Sequence, residues 1–218
     1  MTKNKSVIVV GGGAAGLMSA IHSAWSGAEV IIFEKNPRPA RKVLITGKGR
    51  CNVTNNCSIE TVMNNTPTNP KFLYSALNRF SPEDTMSFFE MLGVELKTER
   101  GNRVFPVSDK AKDIADALIS CAESAGCSIY EKNIKSLIIE NNTIKGVKDS
   151  NGVEYFADSV ILACGGASYP KTGSDGYGYV LARQAGHTIT KIKPSLVPLE
   201  SIESYCCDMM GLSLRNIK

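Results

Sequence analysis

Three glycines and one carboxylate carry the first chemical signal in this sequence. Gly11, Gly13 and Gly16 stand in a G-x-G-x-x-G pattern, and Glu34 follows at the end of the next apolar run. Each position has a physical task in holding a dinucleotide. Gly11 permits a tight turn, Gly13 offers no Cβ to a diphosphate approaching the backbone, and Gly16 lets a helix close on a strand. The N–H groups that open a helix have no intrahelical partner, and the helix dipole favours negative charge there. Gly11, Gly12, Gly13, Ala14, Ala15 and Gly16 are therefore the candidate diphosphate seat. Glu34 can accept hydrogen bonds from a ribose and would repel a 2′-phosphate, which disfavours NADP at this position.

A second polar concentration follows. "TGKGRCNVTN", Thr46 to Asn55, comes directly after a short apolar run that reads as a strand, and has no helical or alternating period. Gly47 and Gly49 allow close backbone approach. Lys42 and Arg50 can neutralise phosphate, Arg50 with a forked donor. Asn52, Thr54 and Asn55 donate and accept in fixed directions, and Thr46, which opens the stretch, joins them as a candidate. A plain NAD domain would run from its second strand through a helix to a third strand. A long polar loop suits a larger cofactor that extends beyond the first strand–helix–strand unit, so FAD fits better than NAD. Lys35, next to Glu34, joins the candidate set. Cys51 reads as a small residue packing the loop, because thiol reactivity needs a lowered pKa.

These residues need positioning elements. Ser6–Val10 is a β-branched run fit for a buried parallel strand. Leu17, Ala20, Ile21 and Ala24 recur at helical spacing, Gly27 ends that helix, and Val30–Phe33 is a second buried strand. "SPED" at Ser81 reads as an N-cap, a first-turn proline and a capping acid, which predicts a helix over 81–92. "VELKTERGNRVFPV" predicts a β-hairpin turning at Gly101–Asn102, and the spacing predicts an amphipathic helix over 109–125. Residues 128–157 alternate and are punctuated at Asn141–Asn142 and Asn151–Gly152, which predicts a three-stranded meander. Val160–Ala163 returns to the central sheet, and Val180–Ala185 is a helix. The expected fold is α/β and Rossmann-like: a parallel sheet, flanking helices and a β-meander. Prolines 194 and 198 mark a change of character beyond Lys191.

Composition narrows the function classes. The 218 residues carry a net charge of only +4 with scattered basic side chains. That is no footprint for nucleic acid or a membrane surface. The first apolar run stops at Val10, too short for a signal core or a span. The seven cysteines are odd in number, include the adjacent pair Cys206–Cys207 and form no C-x-x-C. That argues against a disulfide framework and for a cytoplasmic setting. Two histidines and no paired cysteine spacing argue against a zinc site.

Three stretches resemble a known family. "KVLITGKGRCNVTN", "RVFPVSDKA" and "ILACGGASYPKTGSDGYGYVLARQAGHTI" are similar to segments of the aminoacetone oxidase/BaiN-type flavoproteins, within the two-dinucleotide-binding FAD superfamily. The resemblance runs from Val7 to Pro198. It implies that Gly11–Gly16 hold the FAD diphosphate, that Glu34 holds the adenosine ribose, and that Lys42 and the 46–55 loop lie along the cofactor. It places the Cys164–Gly165–Gly166 turn close to the flavin and the chain near Ile134 by the adenine. Cys164 stands where the family usually has Thr, and Tyr177 where Asp is common. The resemblance further implies an FAD-binding domain over 1–190, begun but not completed here, and the start of an inserted substrate domain over 191–218. It implies hydride transfer between flavin and a small organic or steroid-like substrate, NAD(P)H as a possible second substrate, and a C-terminal half or second chain that completes the flavin site. No residue is assigned a catalytic role. The alternative is a truncated or split FAD-binding module without independent activity.

Overall fold

The amphipathic and β-branched runs fold around two apolar layers, seen in a computed structural model that describes residues 5–194 and 200–212. In chain order the first elements are β1 (Ser6–Val10), α1 (Ala14–Trp25), β2 (Glu29–Glu34), α2 (Arg41–Ile45), a 3-10 turn (Thr46–Gly49) and β3 (Thr54–Asn55). Then come α3 (Ile59–Asn64), a 3-10 turn (Pro70–Leu73), α4 (Tyr74–Arg79), α5 (Pro82–Met91), β4 (Leu96–Glu99), β5 (Arg103–Pro106) and α6 (Ala111–Ser124). The last are β6 (Ser128–Glu131), β7 (Ile134–Glu140), β8 (Thr143–Asp149), β9 (Glu154–Phe156), β10 (Ser159–Leu162), α7 (Tyr177–Gln184) and α8 (Tyr205–Asp208).

The central sheet has the order β10-β1-β2-β6, every pair parallel. Successive side chains of a strand point to opposite faces. Val9, Val30 and Ile32 accordingly go to one face, packed with Leu17 and Ile21 of α1 and Ile114 and Leu118 of α6. Ile8, Val10 and Phe33 go to the other, packed with Ile134 and Val147 of an antiparallel sheet β7-β8-β9 and Leu181 of α7. A sheet covered on both faces needs apolar residues on both, which is why these strands read as continuous Val/Ile runs. A third small sheet, β3-β5-β4, is antiparallel.

Several local expectations hold. The β4–β5 hairpin turns at Gly101–Asn102, both with positive φ, as a tight two-residue turn requires. Asn141 and Asn142, at φ 49° and 57°, do the same between β7 and β8. Ser81 and Asp84 form a reciprocal capping box at α5.

Others shift, each for a local reason. Residues 128–131 do not join the meander. They form β6, which pairs parallel with β2, and the meander starts only at Ile134. The 109–125 helix starts at Ala111, because Asp109 is left-handed at φ 58° and its carboxylate is held by Arg50 and Lys97. The 180–185 helix instead begins at Tyr177, whose N–H donates to the Asp175 carboxylate at 3.1 Å. The apolar run before Thr46 is not a strand but the single helical turn α2, with Val43 buried. Of the segment beyond Lys191, residues 195–199 and 213–218, including Pro198, lie outside the described residues. Residues 200–212 carry the short α8.

The seam between α1 and β1 is the tightest point. A Cβ on Gly16 would lie 1.8 Å from the Gly11 carbonyl oxygen and 3.3 Å from the Ala163 Cβ. Gly11 itself, at φ 109°, would put a Cβ 2.5 Å from the Ala163 carbonyl oxygen. In an unobstructed helix, Gly→Ala stabilises by roughly 1 kcal/mol. At this seam the sign reverses. Gly16→Ala is expected to lower stability by about 1–3 kcal/mol, the usual range for overpacking, read as a lower urea midpoint with unchanged slope.

Candidate functional site

The carboxyl ends of β1, β2 and β10 open onto a cleft of about 590 Å3. It lies where the chain leaves β1 for β2 on one side and returns as β10 on the other, the switch point at which open parallel sheets bind ligands. The volume falls within the roughly 300–1,000 Å3 of small-molecule and cofactor sites.

The floor is backbone. The Gly11 N–H donates to the Phe33 carbonyl at 2.8 Å and the Ala163 N–H to the Val10 carbonyl at 2.8 Å, so the three strand ends are tied together. Helix α1 then begins at Ala14 with no side-chain cap at Gly13 and no acid in its first turn. A Cβ built at Gly13 would meet nothing within 4 Å, so the space above it is open. An anion fits this cradle: free N–H donors, an uncompensated dipole end and no side chain in the way.

Glu34 closes one side. It is 9% exposed and lines the cleft. Its Oε2 accepts from the Gly12 N–H at 2.7 Å, and its Oε1 accepts from the Asn36 N–H at 2.9 Å and the Asn36 Nδ2 at 2.6 Å. A carboxylate has about four lone-pair positions, so Oε2 keeps capacity for one more donor such as a ribose hydroxyl. The residues present therefore fit the diphosphate and ribose of a dinucleotide.

The predicted site residues divide. Gly11, Gly13, Ala14, Ala15, Glu34 and Lys35 line the cleft, and so do Lys42, Thr46, Ile134, Cys164 and Gly165. Gly12 and Gly16 lie behind it, one bonded to Glu34 and the other packed on Gly11. Lys35 pairs with Asp175 at 2.8 Å, and this bond is the main cause of the Asp175 carboxyl's lowered pKa. Lys42 donates to Ser168 Oγ at 3.0 Å and lies 5.6 Å from the Tyr169 ring centre. Burial pushes the Cys164 thiol up to about 11, so it is protonated at neutral pH, and it donates to the Val10 carbonyl.

The remaining loop residues are not among those lining the cleft. Gly47 lies against β5: a Cβ there would be 2.9 Å from the Asn52 amide nitrogen and 3.1 Å from Phe105. Arg50 pairs with Glu99 and Asp109 and stacks 4.2 Å from the Phe105 ring centre. Asn52, with its amide nitrogen turned inward, donates to the carbonyls of Val104 at 3.1 Å and Thr54 at 3.0 Å. Thr54 pairs with Val104, Gly49 precedes the buried, left-handed Cys51, and burial raises the Cys51 thiol pKa. The Gly166 carbonyl accepts from the Gly176 N–H. Sequence reasoning missed Asn36, Arg41 and Asp175, all cleft residues. Their signal is weak: single polar residues in loops, recognisable only through partners distant in sequence.

Among the described residues, no group of three or more His, Cys, Asp or Glu side chains is placed to hold a metal, and no helix is long and apolar enough to cross a membrane.

A parallel sheet with a glycine-rich strand-to-helix turn and a terminal acid, opening on a cleft at the switch point, defines a Rossmann-type dinucleotide-binding domain. Residues 5–216 match the HI0933-like protein Rossmann domain family, and the chain belongs to that family. It is 36% identical over 194 residues to 3-dehydro-bile acid delta(4,6)-reductase of Clostridium scindens, covering 88% of this chain and 46% of that protein. It is 30% identical over 220 residues to ribosomal RNA dihydrouridine synthase of Haemophilus influenzae, covering 98% of this chain and 54% of that protein. The chain thus spans about half the length of the curated relatives it matches. A 3-ketosteroid-delta4-(5alpha)-dehydrogenase of Rhodococcus jostii, solved with 4-androstene-3,17-dione, shares the fold at TM-score 0.64 and 16% identity, over 85% of this chain and 55% of that one.

The Arg50 cluster carries a pH signature. Hydrogen bonds from Arg50 and Lys97 lower the pKa values of Glu99 and Asp109. Groups with lowered folded pKa values stabilise above their unfolded values, about 4, and lose that contribution as pH falls through the folded ones. Arg50→Ala brings the folded values back toward the unfolded ones. Its urea midpoint is expected to start lower at neutral pH but to fall less between about pH 5 and pH 3 than that of the unsubstituted protein. Parallel curves for the two proteins would refute the assignment.

Proposed function

We propose that the cleft binds FAD and that this domain serves an FAD-dependent oxidoreductase, moving a hydride between flavin and a small organic or steroid-like substrate. The observation that carries the reading is the pairing of the open backbone cradle above Gly13 with the spare acceptor capacity of Glu34. Bound flavin would supply the hydride chemistry; the protein supplies orientation and electrostatics. Gly11, Gly13, Ala14 and Ala15 would hold the diphosphate and Glu34 the adenosine ribose. Ile134 would flank the adenine, and Lys42, Thr46, Cys164 and Gly165 would lie toward the flavin. Cys164, protonated, would act as a neutral wall and not as a nucleophile.

The two curated relatives are named for a delta(4,6)-reductase acting on a bile acid and for dihydrouridine formation in ribosomal RNA. Both names describe hydrogen added across carbon–carbon double bonds. That supports reduction of such a bond as this protein's reaction; NAD(P)H would be its electron source. It also makes ribosomal RNA a competing substrate class to the small molecules favoured on charge. The odd number of cysteines and the lack of a C-x-x-C pair would suit a reducing, cytoplasmic setting.

A second reading is a nucleotide-binding module that needs further polypeptide to act. It is supported by the half-length match to the curated relatives. It is also supported by β10, an end strand of the sheet whose Val160, Ile161 and Leu162 carry no charge or proline of the kind that guards exposed edges. In both readings, residues 1–190 form the nucleotide domain and 191–218 begin a second one.

Purified protein is expected to be yellow, or to become so with added FAD, and acid treatment should release FAD as the nucleotide. Gly13→Ala is expected to leave thermal stability unchanged while weakening FAD binding at least tenfold, because its methyl group would meet only the ligand. Glu34→Ala should weaken binding by roughly 1–3 kcal/mol in a fluorescence titration. A colourless protein that takes up no FAD would refute the reading, as would unchanged affinity in both variants.

A further inference from the structure

Four cations stand between Lys35 and Lys42 along one lip of the cleft: Lys35, Arg38, Arg41 and Lys42. Two are neutralised within the protein, Lys35 by Asp175 at 2.8 Å and Arg38 by Asp116 at 2.6 Å. Lys42 bonds the neutral Ser168 hydroxyl. Arg41 is exposed, has no carboxylate partner among the described residues, and is nevertheless fixed: its Nη1 donates to Asn36 Oδ1 at 2.8 Å.

Asn36 is itself fixed from the other end. Its Nδ2 donates to Glu34 Oε1 at 2.6 Å, and its backbone N–H donates to the same oxygen at 2.9 Å. Only one amide orientation satisfies both neighbours, since the reverse would set an oxygen against a carboxylate and an NH2 group against a guanidinium. The amide is also wedged against the loop before α7. A Cβ on Gly173, where φ is 102°, would lie 2.7 Å from Asn36 Nδ2. The Glu34 carboxylate is in turn fixed to the Gly12 N–H, at the entrance of α1. One rigid chain of hydrogen bonds therefore runs from the diphosphate cradle through Glu34 and Asn36 to a guanidinium whose charge is not matched by a neighbouring acid.

We propose that Arg41 is the cation that meets the diphosphate of the bound nucleotide, and that Asn36 is the positioning residue that holds it there by relaying the placement of Glu34. The inference rests on the dinucleotide reading above and extends it to residues outside the glycine motif. A forked guanidinium matches phosphate oxygens, and one already held by a neutral amide keeps its full charge and loses little freedom on binding.

The test uses the 218-residue chain with three probes, adenosine, ADP and FAD, measured by calorimetry, with thermal melts to verify folding. Arg41→Gln, on an exposed side chain, is expected to lower ADP and FAD affinity about tenfold or more, the loss of one charge-assisted hydrogen bond, while leaving adenosine affinity unchanged. Asn36→Leu, which also removes a donor from Glu34 Oε1, should lower adenosine affinity somewhat and ADP and FAD affinity more, and the double variant should be no worse than Asn36→Leu alone, because the two residues act as one unit. Equal losses for adenosine and ADP, a full ADP response in Arg41→Gln, or additive effects in the double variant would each overturn the proposal while leaving the dinucleotide reading in place. Failure of the unsubstituted protein to bind either FAD or ADP would overturn both.

Discussion

The hydrogen bond from the Gly12 N–H to the buried Glu34 carboxylate is the contact on which the rest of the site depends. It joins the turn that opens α1 to the end of β2, so the cradle and the buried acid move as one body. The same segment is held from two further directions. The Ala40 N–H donates to the Gly12 carbonyl at 2.8 Å, and the Lys132 N–H donates to the Glu34 carbonyl at 2.8 Å. A site intended to recognise a charged, flexible ligand gains most when its own polar groups are already fixed, because ordering them then costs nothing on binding.

The close packing around this contact explains which glycines are constrained and which are free. Gly11 and Gly16 are shut in by backbone atoms that cannot move without separating α1 from the sheet. Gly13 is not shut in by protein at all. Two glycines of one motif are thus needed for packing and the third leaves open space above the turn, a distinction that the pattern of letters does not contain.

That distinction marks the limit of what was legible. The βαβ unit, the β4–β5 hairpin, the capping box at Ser81 and the Asn141–Asn142 turn follow from periodicity and turn chemistry alone, because each is local. Residues 128–131 read as part of the meander because an alternating pattern carries no information about its pairing partner, which is β2, far away in sequence. The 46–55 loop was legible as unusual but not in its use. Arg50 has the chemistry of a phosphate ligand, yet it lies on Phe105 between Glu99 and Asp109, acids that no local pattern links to it. The cleft cations Arg41 and Lys42 could be told from Lys35 and Arg38 only by their partners.

This division of the polar loop has a consequence for the domain as a whole. Its first residue, Thr46, faces the cleft together with Lys42 and Val43 of α2, while the rest is fastened to the small β3-β5-β4 sheet and to Asp109 just before α6. The nucleotide end of the site is thereby built almost wholly from backbone atoms, one buried acid and residues they hold, none of which can vary freely. Relatives named for substrates as unlike as a bile acid and ribosomal RNA share this half of their length with the chain. With this end fixed by packing, differences between those relatives' substrates have to be written elsewhere, on the open side of the cleft near Tyr169 or in the half of their length that this chain does not match.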